Sequence, residues 1–314
     1  MKAKSILSIV LFSFCPTFGI EILEPGYQVT TYSCYTCPGT EYAPREIAVD
    51  PYGSLYLSHL GRYDKNEGAV YRVDLDGIAH LWKDGLELPR RMVWAGQTDF
   101  GNKFYIAGAE IGYIHSVDLL GCFTPFAYVR DTHALALDRT GRYGGYLYSA
   151  TRGYDKIYRV DSQGNSEVFS SFPGDHPGGP VDLCFDPGQN YGGLMYLADD
   201  SPSRADLSGI FSIDTQGQAS RFASDIMRAW SIEIDPTGLF NGYFYASGTA
   251  TLDEDSVFSL WRITPSGEVY EFALAGLDTG GLLTFVFGPD GAMYVPEYLS
   301  DYDVVIISKI VPEG

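Results

Sequence analysis

Residues His133 to Phe169 read HALALDRTGRYGGYLYSATRGYDKIYRVDSQGNSEVF. Four short apolar runs, HALALD, GYLYSA, KIYRVD and SEVF, are separated by turns rich in Gly and Asp. That is the pattern of a four-stranded antiparallel sheet, whose strands are labelled A to D here. The strand B tyrosine returns as Tyr56, Tyr105, Tyr148, Tyr196, Tyr245 and Tyr294, every 43 to 49 residues. A four-strand unit at that period signifies a propeller blade. The expected fold class is therefore all-β, a six-bladed β-propeller with four-stranded blades.

The turn after strand C carries the same punctuation. Gly recurs at 77, 121, 164, 217, 267 and 314, and the first five are followed five residues later by Trp82, Phe126, Phe169, Phe222 and Phe272. Asp74, Asp118, Asp161 and Asp214 open Asp-x-x-Gly hairpins, in which the carboxylate starts the turn and Gly takes the positive φ. The sixth copy reaches only Gly314 and lacks a strand D. The stretch Pro25 to Tyr32, PGYQVTTY, opens with a turn dipeptide and alternates like a strand. It is expected to complete blade 6, so that an N-terminal strand closes the ring and leaves no long open edge.

Lys2 and Lys4 precede an apolar run from Ile6 to Phe14, and small residues stand at Thr17 and Gly19. This reads as a signal peptide over residues 1–19, and places one propeller domain over 20–314, exported to the periplasm or the extracellular space. No later run has the ~20 apolar residues of a spanning helix, so no stable membrane insertion is expected. The formal net charge is −19, and removal of Lys2 and Lys4 makes it more negative. Nucleic acid is disfavoured as a partner by like-charge repulsion, and cations are favoured. Cys34 and Cys37 flank Tyr-Thr at the entry to blade 1, where an exported chain can form a local disulfide.

Hairpin lengths distinguish the two faces of the ring. The A–B and C–D turns are short and regular, whereas the B–C and D–A connections, such as 58–68, 170–180, 198–209 and 247–259, are longer and more varied. Variable loops on a rigid scaffold are the usual seat of function.

The repeat Pro44-Arg45-Glu46-Ile47-Ala48-Val49-Asp50-Pro51-Tyr52-Gly53-Ser54-Leu55-Tyr56 resembles the NHL-repeat and SMP-30/gluconolactonase group of six-bladed propellers, over residues 27–314. That group includes lactonases, other enzymes and binding modules. Its lactonase branch implies a divalent metal in the channel, held by Glu, Asn and Asp at the first residue of several A strands. Here those positions are Arg45, Arg90, His133, Val181, Trp230 and Leu283. None is a carboxylate or an amide, and the arginines repel a cation, so the metal set does not carry over at that register. A shift of one residue gives Glu46, Arg91, Ala134, Asp182, Ser231 and Thr284. Strand alternation turns that ring away unless a bulge intervenes.

Taken literally, Arg45, Arg90 and His133 begin three successive A strands and converge at the channel mouth, with Trp230 facing them. Such a cluster suits a carboxylate, sulfate or uronate, with the indole stacking on a sugar face. The plainer alternative pairs Arg45 with Glu46 or Glu297, and Arg90 with Asp131. The ends of strand B add His59, Asp199 and Glu297 on the same side. With Glu46 and Asp182, the carboxylates Asp199 and Glu297 form a second candidate set, for Ca2+ or another divalent metal or for general acid–base work.

Acidic loops at Asp199-Asp200 with Asp206, at Asp253-Glu254-Asp255, and at Asp301 with Asp303 are rich in oxygen ligands but match no calcium motif. No Gly-x-Ser-x-Gly elbow is present. The preferred reading is an exported propeller binding a small molecule or saccharide at the channel mouth. A metal-dependent hydrolase and a protein–protein platform are the alternatives.

Overall fold

A computed structural model describes residues 20–37, 44–61, 67–108, 112–172, 179–201, 208–250, 259–275, 284–299 and 303–314. The signal-peptide reading lies outside them. So does much of the face favoured by loop length, including Asp206, Asp253, Glu254, Asp255, Asp301 and the blade 6 position Leu283. Among the described residues no helix is long and apolar enough to cross a membrane.

Six antiparallel sheets stand around a central channel. Strand A lines it in every blade: Pro44–Val49, Pro89–Trp94, Thr132–Leu137, Pro180–Phe185, Ile232–Ile234 and Val286–Phe287. Strands B, C and D follow outward, as in blade 3 with Leu147–Thr151, Lys156–Val160 and Ser166–Ser171. The Asp at the end of strand A makes the turn that follows. Asp138 accepts from the backbone N–H groups of Thr140, Gly141, Tyr143 and Gly145, and Asp235 does the same in blade 5.

The repeated tyrosine anchors the same turn from strand B. Tyr105, Tyr148 and Tyr196 each donate to the carbonyl five residues earlier, at 2.7–2.8 Å. Where the A–B turn is short, Tyr56 and Tyr294 donate instead to Asp50 and Asp290. Neighbouring blades are latched by turn tyrosines. Tyr143 donates to Ile213 O at 2.6 Å and accepts from Met195 N, and Tyr191 does the same one blade on, with Ile263 O and Phe244 N.

The chain closes its own ring. Strand Tyr27–Thr36 pairs antiparallel with Val304–Pro312 and supplies strand D of blade 6. The contact between hairpin glycines and the preceding blade identifies its equivalence to the other D strands. A Cβ on Gly164, Gly217 or Gly267 would stand 2.3–2.8 Å from the carbonyl oxygen of Phe126, Phe169 or Phe222, and one on Gly77 would meet Tyr32 O at 2.3 Å. Tyr32 thus takes the place of the strand D aromatic that follows the other hairpin glycines.

The strand begins and ends later than Pro25 to Tyr32 suggests, and an earlier segment adds an unforeseen tie. Glu21–Ile22 pairs with Leu274 and Ala273 as a fifth strand outside blade 5. Glu24 then accepts two bonds from Arg262 Nε, at 2.8 and 3.1 Å, and Tyr27 stacks on Phe240. Two adjoining blades are thereby joined by one short stretch of chain.

The cysteines depart from expectation. Cys34 is exposed, Cys37 is buried with its Sγ 3.8 Å from His59 Nε2, and no disulfide joins the two. Three residues apart at the end of one strand, they fall on opposite faces, which prevents a local bridge.

Because Gly164 has φ +87° and no room for a Cβ, Gly164→Ala should lower the unfolding free energy by roughly 2 kcal/mol or more. A urea titration read by far-UV circular dichroism checks this, and an unchanged midpoint would refute the proposed interblade contact.

Candidate functional site

The inner ends of the A strands do not alternate simply. In four blades the A–B pairing slips at the start of the strand, between Pro44 and Glu46, Pro89 and Met92, Thr132 and Ala134, and Pro180 and Asp182. A bulge re-aims side chains that a regular pleat would send to opposite faces. Among the described residues, Glu46, Arg91, Asp182 and Thr284 of one ring, and Arg45 and Trp230 of the other, make contacts between blades, in two tiers.

The inner tier is a buried ionic cluster around Arg91. Its Nη1 donates to Glu46 Oε2 at 2.9 Å, and its Nε lies 3.2 Å from Asp182 Oδ1. Thr284 Oγ1 donates to the same Glu46 oxygen at 3.2 Å. Asp182 also accepts from the backbone N–H of Leu183 and, across to blade 5, from that of Ile232 at 2.9 Å. Glu233 adds a third carboxylate, with Oε2 accepting from Phe287 N at 3.2 Å.

Burial pushes the Asp182 carboxyl up to about 7, with repulsion from Glu46 adding to it and the pull of Arg91 opposing. Burial likewise pushes Glu233 up to about 7 and raises Glu46. For Arg91, burial works against the charge, but Asp182, Glu46 and Glu233 outweigh it and raise its pKa.

The outer tier lies at the mouth beside the starts of the A strands. Arg45 from blade 1 reaches across to blade 5, with its guanidinium carbon 6.0 Å from the centre of the Trp230 ring. The Trp230 indole is buried, and its Nε1 has no hydrogen-bond acceptor among the described residues. His133 Nε2 lies 3.3 Å from Asp131 Oδ1, and the same Asp131 side chain accepts from Gly153 N at 2.6 Å. Burial brings the His133 pKa down to about 4, and the nearby Arg90 charge acts in the same direction. The imidazole is therefore neutral at pH 7. Arg152 and Asp200 pair at 2.5 Å close by.

The remaining candidates, His59, Asp199 and Glu297, lie on B strands. His59 is fully buried between Tyr35 and Tyr71, its Nε2 3.1 Å from Tyr35 Oη, in the layer between blades 6 and 1. It faces that way because it shares the side of its strand with Leu57 and Leu55. Asp199 turns back on its own loop, accepting from the backbone N–H and hydroxyl of Ser201. Glu297 accepts from Ser308 on the adjacent strand at 3.4 Å.

Glu46 and Asp182 do not fit a divalent ion, because the Arg91 guanidinium occupies the space between their oxygens. Among the described residues no three His, Cys, Asp or Glu side chains gather as a metal would require.

The roles of Arg91 and Glu233 were not singled out from the sequence, although a signal for Glu233 exists. Its equivalents in the other A strands are Ala48, Val93, Ala136, Cys184 and Val286. One carboxylate in an otherwise uncharged row marks a position where the ring interior has a special demand.

Arg91→Ala leaves three buried carboxylates without their counter-ion. It should cost about 3–5 kcal/mol near pH 8, and clearly less at pH 5, where the carboxyls take up protons instead. Urea unfolding at the two pH values checks this. Glu233 also has its own pH signature. Its folded pKa is raised, so its contribution is fully present below the unfolded value near 4.5 and is lost as pH rises through about 7. The fall should be on the order of 3 kcal/mol, and Glu233→Gln should flatten the stability profile across that window.

No protein-family model matches the chain, and no curated protein sequence matches it. Solved structures do. A gluconolactonase from Xanthomonas campestris shares 12% identity, with 93% of this chain and 94% of that one covered, at a TM-score of 0.66. An auxiliary nutrient binding protein from Bacteroides thetaiotaomicron shares 13%, covering 92% and 77%, at 0.62. Virginiamycin B lyase from Staphylococcus aureus shares 10%, covering 91% and 99%, at 0.61. In fold, the chain is similar to the gluconolactonase and virginiamycin B lyase propellers, and its own ring has six blades.

Proposed function

We propose that this chain is an exported propeller that binds a small anionic molecule, such as a sugar acid, at the channel mouth formed by Arg45, Arg90, His133 and Trp230. The carrying observation is the Arg45 guanidinium over the buried Trp230 ring, beside an indole N–H with no acceptor among the described residues. A buried donor without an acceptor costs free energy that a ligand oxygen would recover. Arginines keep their charge at any physiological pH and match a carboxylate or sulfate in geometry. Neutral His133 adds a hydrogen-bonding group without adding charge.

A structural neighbour described as a nutrient binding protein is consistent with this reading. Export rests on the Lys2, Lys4 and Ile6–Phe14 pattern. A metal-dependent hydrolase is less well supported, because Arg91 already engages Glu46 and Asp182.

Calorimetric titration of galacturonate and gluconate in EDTA tests the proposal. The parent should bind without a metal, and Arg90→Ala should weaken binding tenfold or more, a loss of about 1.4 kcal/mol. Equal affinity in Arg90→Ala, or binding that appears only when a divalent ion is added, would sink it.

A further inference from the structure

We propose that the opposite mouth of the channel is a second binding site, which takes a small amine with an apolar body and receives its ammonium group at Glu233. The site is independent of the anion site proposed above, from which the Arg91 cluster separates it.

The cavity opens on the face of the A–B turns and has a volume of about 430 Å³, within the range of small-molecule pockets. One position repeated in the six A strands makes its wall: Val49, Trp94, Leu137, Phe185, Ile234 and Phe287. All six are apolar and three are aromatic. Prolines 51, 187, 236 and 289 stiffen the rim. The charged side chains Asp50 and Arg139 near the rim are already engaged. Asp50 accepts from Tyr52 N, Ser54 N and Tyr56 Oη, and Arg139 donates to the carbonyls of Trp94 and Ala95.

At the floor stand Arg91 and Glu233. Arg91 is committed to Glu46 and Asp182. Glu233 has one oxygen on Phe287 N, its other oxygen carries no hydrogen bond among the described residues, and the residue is partly exposed where it lines the cavity. Charge decides the class of ligand. Glu46, Asp182 and Glu233 face one guanidinium, with the Arg90 charge farther off at the other mouth acting on Glu46 and Asp131, and with Asp235 adding repulsion at Glu233. A ligand carboxylate would bring a fourth negative group to a floor whose cation is already bonded twice. An ammonium supplies the missing charge, and the aromatic residues Trp94, Phe185 and Phe287 line the way in. The apolar wall sets the rest of the molecule as hydrocarbon or aromatic, of the size of an aryl-ethylamine.

The test uses the full mature chain and three probes of one shape: 2-phenylethylamine, neutral 2-phenylethanol, and 3-phenylpropionate. Calorimetry at pH 8 should show the amine binding at least tenfold more tightly than either analogue. Glu233→Gln should weaken the amine tenfold or more, whereas Arg90→Ala at the other mouth should leave it unchanged. Titrations of the parent protein at pH 7 in buffers of different ionisation enthalpy should show proton release on amine binding, because the ammonium drives Glu233 to its charged form. That measurement stands even if Glu233→Gln fails to fold. Binding of phenylpropionate as tight as that of the amine, no detectable amine binding, or amine binding to the parent without proton release would overturn the proposal.

Discussion

The pairing of Tyr27–Thr36 with Val304–Pro312 is the constraint on which the rest depends. Each blade is a separate sheet that buries its faces against its two neighbours, so an incomplete last blade would expose an edge and uncover the first. Closure brings Gly77 under the Tyr32 carbonyl, the same contact that joins successive blades elsewhere in the ring. It also sets the inner channel. Glu46 meets Thr284 across 238 residues of sequence, and that bond exists only when blade 6 lies beside blade 1.

Inside the closed ring, one guanidinium organises the polar groups. Arg91 joins carboxylates from blades 1 and 4, and Asp182 in turn caps a backbone N–H of blade 5. Three carboxylates around it, two of them raised to about 7, make the cluster sensitive to protons in the physiological range. A buried pair of this kind contributes little net stability over an apolar core, yet it is costly to break. Its more informative effect is to divide the channel. Arg45 and Trp230 meet on one side of it, and on the other a cavity is lined by apolar side chains with Glu233 among them.

Much of the fold was legible because its signals are local. The strand B tyrosines, the Asp-x-x-Gly hairpins and the glycines that must take positive φ each act within a few residues of themselves. The closing strand could be inferred from a missing fourth strand. The added pairing of Glu21–Ile22 could not, since two residues have no periodicity to read. The contacts of the candidate residues were less legible. Arg45 and Trp230 were matched by their equivalent positions, and they do meet across the channel. His59, Asp199 and Glu297 share a position too, but the local turn of each strand end directs them to different partners.

By itself, then, the amino-acid sequence determined an all-β ring of six blades, its punctuation and a set of candidate positions at the starts of the A strands, because strand alternation and turn chemistry are short-range. Only the tertiary structure decided what those positions become. Glu46, Arg91 and Asp182 stand at equivalent positions of three different blades, and they meet only because the blades are arranged around one channel. Once together, their charges and burial, which belong to no single residue, made an ionic cluster of what the sequence shows only as separate acids and bases.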